Sequence, residues 1–150
     1  MERILDWNKY LDTAAKMVSE GIVMLKNENN ALPLDTEKEV AVFGRIQFHY
    51  YKSGTGSGGM VNVTKVVNIL DGLIDNGVKV NEKLLDTYRK WDKENSFDLG
   101  EGWGGEPWSQ KEMPLDEGLV KETAKSCETA IVIIAVSYTH LRAHETSLHL

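Results

Sequence analysis

The chain predicts an α/β fold, a mainly parallel sheet flanked by helices. Two short apolar runs, at residues 40–43 and 130–134, and the Val78–Lys79–Val80 triplet read as strands. The stretches between them carry apolar residues at three- and four-residue steps, the period of a helix. Strands that alternate with helices imply parallel pairing through right-handed crossovers.

The elements follow in order. Trp7, Leu11, Ala14, Val18, Ile22 and Leu25 mark an amphipathic helix over residues 7–25, ended by Asn27, Asn29 and Asn30 and blocked from continuing by Pro33. Residues 40–43 are wholly apolar and lead into Gly44, which predicts a central strand of a parallel sheet. Val66, Val67, Ile69, Leu70, Leu73 and Ile74 predict a second helix over residues 66–76, with Asn76 and Gly77 as its left-handed stop. The short strand 78–80 follows, then a third helix marked by Leu84, Leu85, Tyr88 and Trp91. Residues 97–114 read as loop, with Gly100, Gly102, Gly104 and Gly105 interleaved with Trp103 and Trp108. A fourth helix covers residues 116–126, its acidic Asp116 and Glu117 suited to the positive end of the helix dipole. The third strand, 130–134, closes the order α–β–α–β–α–α–β.

Bulk properties exclude several function classes. With 150 residues the chain has room for about one domain, and 41% hydrophobic with 27% charged residues is an ordinary globular balance. A net charge of −6 without a basic cluster argues against a nucleic-acid or anionic-membrane surface. The charged start, Met1 to Asp6, lacks the apolar core of a signal peptide, and the apolar run 130–136 is too short to span a bilayer. Cys127 is the single cysteine, which excludes an internal disulfide and fits a reducing cytosol. Ser126 and Glu128 beside it supply no activating base, so it reads as a small core residue.

From about Val136 the pattern breaks. His140, His144 and His149 are three of the four histidines in the chain, and no helix or strand period governs the segment. His140 and His144 share a helical face, but a zinc site needs a third ligand and supporting partners. Residues 136–150 resemble instead the conceptual translation of a transposase sequencing adapter. The expectation is a non-native tail, with no metal site.

The glycine-rich stretch Lys52, Ser53, Gly54, Thr55, Gly56, Ser57, Gly58, Gly59 follows the first strand. Gly54, Gly56 and Gly59 satisfy G-x-G-x-x-G, so a nucleotide- or dinucleotide-binding domain using the Gly54–Gly59 loop is the alternative reading. That fingerprint binds pyrophosphate when its glycines leave a strand and open a helix directly. Here Gly54 stands ten residues after Gly44, and the β-branched Val61, Val63 and Thr64 that follow start a helix poorly. Lys52 precedes the glycines, which excludes a phosphate loop. Tyr50, Tyr51, Asn62 and Thr64 add hydroxyl, amide and ring groups, a mixture suited to sugars.

The segment Glu20 to Leu34 (EGIVMLKNENNALPL), followed by the strand at 40–44, resembles the opening of the α/β-sandwich domain of glycoside hydrolase family 3, the β-glucosidase family. The Ser53 to Gly59 loop resembles the serine- and glycine-rich loop that faces the active site there, and Glu112–Met113–Pro114–Leu115 with the 130–134 strand resembles the family's later course. The resemblance covers Leu5 to about Ala135. It implies an incomplete α/β sandwich over residues 1–135 and a parent enzyme that hydrolyses terminal β-linked glucosides or related sugars with retention. In that family an Asp nucleophile sits on a (β/α)₈ barrel and a Glu acid/base comes from the sandwich domain. One protonates the leaving oxygen while the other forms the glycosyl-enzyme. Neither is placed in this chain. Glu101, Glu106 and Glu112 do not match the acid/base context, so the chain itself is expected to be inactive. The resemblance also implies that residues 52–59 lie near a carbohydrate substrate once the barrel is present, with no metal or cofactor. The nearness of Met1 to the resemblance suggests a sandwich domain preceding the barrel.

Overall fold

The computed structural model describes residues 5–49, 65–101 and 110–134. The chain forms two compact units, residues 1–34 and 35–150.

The first unit contains helix α1 (Trp7–Gly21) and a 3₁₀ turn at Glu28–Asn30. Asp6 caps α1 by accepting from the Lys9 amide at 3.1 Å. The helix stops at Gly21, four residues before the end the apolar period predicts, and Ile22 is already extended. Glycine weakens a helix and the β-branched pair Ile22–Val23 favours extended backbone, so local preference ends the helix before the asparagines do. Those asparagines shape the following turn. Asn29 and Asn30 adopt positive φ, and the Asn27 amide bridges both polar groups of Leu32, donating to its carbonyl at 2.7 Å and accepting from its N–H at 3.0 Å. No residue of α1 is buried, so its apolar stripe provides no core of its own.

Among the described residues, the second unit is built on a three-stranded parallel sheet in the order β2–β1–β3. Strand β1 (Glu39–Phe43) is central, as its unbroken apolar run predicts, with β2 (Lys79–Val80) on one side and β3 (Thr129–Val132) on the other. The register aligns Val40 with both Val80 and Thr129, and Phe43 with Val132. Helices α2 (Ile69–Asp75), α3 (Glu82–Glu94) and α4 (Glu117–Ser126) complete the unit.

Each of these helices begins at a short polar side chain that accepts the amide three residues on. Asn68 holds Asp71, Asn81 holds Leu84 and Asp116 holds Leu119. Helix α2 therefore starts at Ile69, later than Val66, because Asn68 offers the cap. Asp116 stands as the cap of α4 and not as its first turn. The left-handed stop after α2 is present: Gly77 has φ +76°, and Gly77 and Val78 donate back to Ile74 and Leu73. Asn81 does more than cap. It is buried, its N–H donates to Val40 O, and its side-chain amide donates to Glu39 Oε2 and Ser126 Oγ, tying β1 and α4 to the start of α3.

The core lies where α3 covers one face of β1. Leu84 and Tyr88 pack with Ala41, Phe43, Met113 and Cys127, with Phe48, Trp91 and Leu119 at the margin. Full burial of such side chains contributes about 1.5–3 kcal/mol each. Cys127 is the small core residue its neighbours predict. Strand β3 is apolar like β1, yet Val132 and, just past its end, Ile134 are exposed. Among the described residues it pairs only with β1, which leaves its other edge open.

Candidate active-site scaffold at the carboxyl end of β1

In an open parallel sheet the carboxyl ends of the strands carry ligand-facing loops. Here β1 ends in Gly44, with φ +112°. A Cβ added at Gly44 would stand 2.5 Å from the carbonyl oxygen of Ile133, so only glycine lets the two strand ends stay this close. The Gly44 N–H donates to the Tyr88 hydroxyl at 3.0 Å, and Ile133 N–H donates to Phe43 O at 2.9 Å. The Tyr88 phenol is held above its usual pKa range, first by burial and then by the nearby Glu112 charge, while the Gly44 N–H opposes both.

A buried 3₁₀ turn, Arg45–Gln47, follows at once. The Gln47 amide donates to Gly44 O at 3.0 Å and to Val42 O at 3.4 Å, closing the turn back on the strand. Arg45 is 1% exposed. Its guanidinium donates to Asp92 Oδ1 and Asn95 O, both at 2.6 Å, and to Lys111 O at 2.9 Å. It lies 4.9 Å from the centre of the Trp91 ring and 5.2 Å from that of Phe97. A buried cation needs paired charge and hydrogen-bond acceptors: Asp92 supplies the charge and the Asn95 and Lys111 carbonyls two further acceptors, while Arg45 Nε has no hydrogen-bond partner among the described residues. Its own N–H donates to the Glu112 carboxylate, at 2.9 Å and 3.2 Å to the two oxygens, which also takes the Met113 N–H.

His49 completes the cluster. Its Nε2 lies 2.6 Å from Asp92 Oδ2, and its ring stacks on Phe97 with centroids 4.4 Å apart. Asp92 thus divides its two oxygens between Arg45 and His49. Nearby, the Asp98 N–H donates to Gln110 Oε1 and Gln110 Nε2 donates to Asp98 O, pinning together the two ends of the segment between them. An open depression of about 320 Å³ adjoins the cluster, lined by Phe48, Asn68, Leu70, Asp71, Arg89, Asp92 and Lys93. Its mixed charges and open shape describe a wet surface.

The glycine loop Lys52, Ser53, Gly54, Thr55, Gly56, Ser57, Gly58, Gly59 lies outside the described residues, as do Tyr50, Tyr51, Glu106 and the 136–150 tail. Glu101 is exposed, and Glu112 binds backbone amides as a structural carboxylate. Sequence reading overlooked Arg45, His49 and Asp92. The available signal was an arginine directly after a strand-ending glycine, a position with little room for a long cation unless acids and rings receive it.

A family model, the glycosyl hydrolase family 3 C-terminal domain, matches residues 22–147. A β-glucosidase of Ruminococcus albus is 60% identical over 130 residues, covering 87% of this chain and 14% of its own length. Among solved structures, a β-glucosidase from Paenibacillus barengoltzii superposes with a TM-score of 0.78 at 48% identity, covering 90% of this chain and 14% of that one. β-Glucosidase 3B from Thermotoga neapolitana, in complex with glucose, gives 0.69 at 29% identity, covering 87% and 18%. The chain therefore spans about one-seventh of the length of the first two relatives. These relatives give the nucleotide-binding alternative no support. On the family match, the identity and the shared fold, the chain belongs to the glycosyl hydrolase family 3 C-terminal domain family.

Proposed function

We propose that this chain is the sandwich-domain portion of a β-glucosidase, a glycoside hydrolase that cleaves terminal β-linked sugars with retention. The observation that carries the reading is the 60% identity to a β-glucosidase over 130 residues. Retention requires two carboxylates, one to protonate the leaving oxygen and one to form the glycosyl-enzyme. No residue of this chain is assigned either role, and the chain alone is proposed to be inactive. Its contribution is the loop of residues 52–59, offered to a carbohydrate substrate beside a barrel domain. The support is positional: Gly44 and the buried Arg45–Gln47 turn place the chain at the carboxyl end of the central strand just before that loop begins.

Residues 1–135 form the incomplete sandwich, and residues 136–150 are proposed to be non-native on the strength of their broken patterning and clustered histidines. The family match runs on to residue 147, so sequencing the source locus across these codons decides the boundary. Neither nucleic acid nor membrane is a partner in this reading, and the compartment is the cytoplasm. The acid balance and single cysteine support it.

The test is to extend the reading frame in the source DNA, express the longer protein and assay aryl β-glucosides, following the first-formed anomer by NMR. The proposal expects turnover with retention from the longer protein and none from the 150-residue chain. No turnover from the longer protein, or turnover from the chain alone, would refute it.

A further inference from the structure

We infer that His49 and Asp92 are positioning residues, a clamp that fixes where the chain leaves β1 for the glycine loop. This rests on the proposed function above, in which that loop faces the sugar. Asp92 stands on α3, a helix capped by Asn81 and anchored by buried Leu84, Leu85 and Tyr88. It is therefore a fixed point on the rigid part of the unit. Its Oδ1 takes Arg45 Nη2 and its Oδ2 takes His49 Nε2, each at 2.6 Å. One carboxylate thus sets residue 49 relative to residue 45 across a single turn. An ionised carboxylate only accepts, so the shared hydrogen lies on His49 Nε2.

Two features separate this from ordinary core packing. The His49 side chain is 33% exposed and stands outside the buried core cluster. Its ring is nonetheless fixed in two directions, by the carboxylate and by the stack on Phe97. Restraint of this kind acts on direction: it fixes how residue 49 is oriented relative to residue 45 and to α3. A displacement of about 1 Å in a substrate-facing group is enough to lower rates up to a hundredfold.

Two variants isolate the hydrogen bond. His49→Phe keeps a ring for the Phe97 stack and loses the donor to Asp92. His49→Gln loses the ring but returns an N–H at the same reach. In the longer enzyme, kcat/KM for an aryl β-glucoside is expected to fall at least fivefold in H49F and to recover to within twofold in H49Q, with Tm unchanged within about 2 °C. In the 150-residue chain, amide exchange over residues 45–52 is expected to rise at least tenfold in H49F, while β1 and α3 amides stay within twofold. A structural role would instead lower Tm and speed exchange everywhere. Unchanged kcat/KM in H49F, no recovery in H49Q, or exchange unchanged at 45–52 would each overturn the inference. If the unsubstituted longer enzyme turns over no β-glucoside, the proposed function fails on its own, and the exchange measurement still decides the clamp.

Discussion

Helix α3 and strand β3 both stand beside β1, and their apolar residues differ sharply in burial. On the α3 side, Leu84, Leu85 and Tyr88 are each 1% exposed, whereas on the β3 side Val132 is 64% and Ile134 80% exposed. An apolar run specifies an extended strand, but burial depends on what lies across each face and edge. The α3 flank is closed by the chain's own helix, while β3 has a partner on one edge only among the described residues. Stability is therefore expected to concentrate along β1 and α3, and the carboxyl-end scaffold stands on that half.

Substitutions graded by flank sharpen the contrast. The largest effect is expected at the junction itself. Gly44→Ala combines a positive φ with a methyl group 2.5 Å from a backbone carbonyl, so urea unfolding should show a loss of about 3–5 kcal/mol. A loss under about 1 kcal/mol would mean that the strand ends separate easily. Next, Leu84→Ala on the closed flank should cost about 3 kcal/mol, against about 0.5 kcal/mol or less for Val132→Ala on the open one. Equal losses would erase the asymmetry.

Tyr88→Phe should cost less, about 1–2 kcal/mol, because it removes the acceptor of the buried Gly44 N–H. It also predicts a pH effect. Burial raises the phenol pKa in the folded state, so the contribution is complete below the unfolded value of about 10 and is lost as pH climbs through the higher folded value. The parent chain should therefore lose stability on the alkaline side of pH 10 more steeply than the Tyr88→Phe variant. Parallel alkaline curves for the two would remove Tyr88 as the cause.

The parallel sheet and its central strand were legible because short unbroken apolar runs alternate along the chain with stretches of the 3.6-residue period. Helix boundaries were less so. The apolar stripe carries α1 past Gly21 and opens α2 at Val66, but backbone preference at Ile22 and the Asn68 cap set the actual ends. The letters of 130–134 match those of a buried strand, because exposure is a property of neighbours and not of composition. At the strand end the glycine loop stood out by composition, whereas Arg45, His49 and Asp92 did not. Asp92 lies 47 residues from Arg45, and only the packing of α3 on β1 brings them to 2.6 Å.

The central claim is that this domain delivers the loop after β1 to the sugar. Replacing residues 53–59 of the longer enzyme with a neutral linker tests it most directly. The account predicts a fall in kcat/KM for an aryl β-glucoside of well over tenfold, more than about 1.4 kcal/mol of transition-state binding, with β1 and α3 still protected from exchange. An unchanged kcat/KM in a folded variant would contradict it.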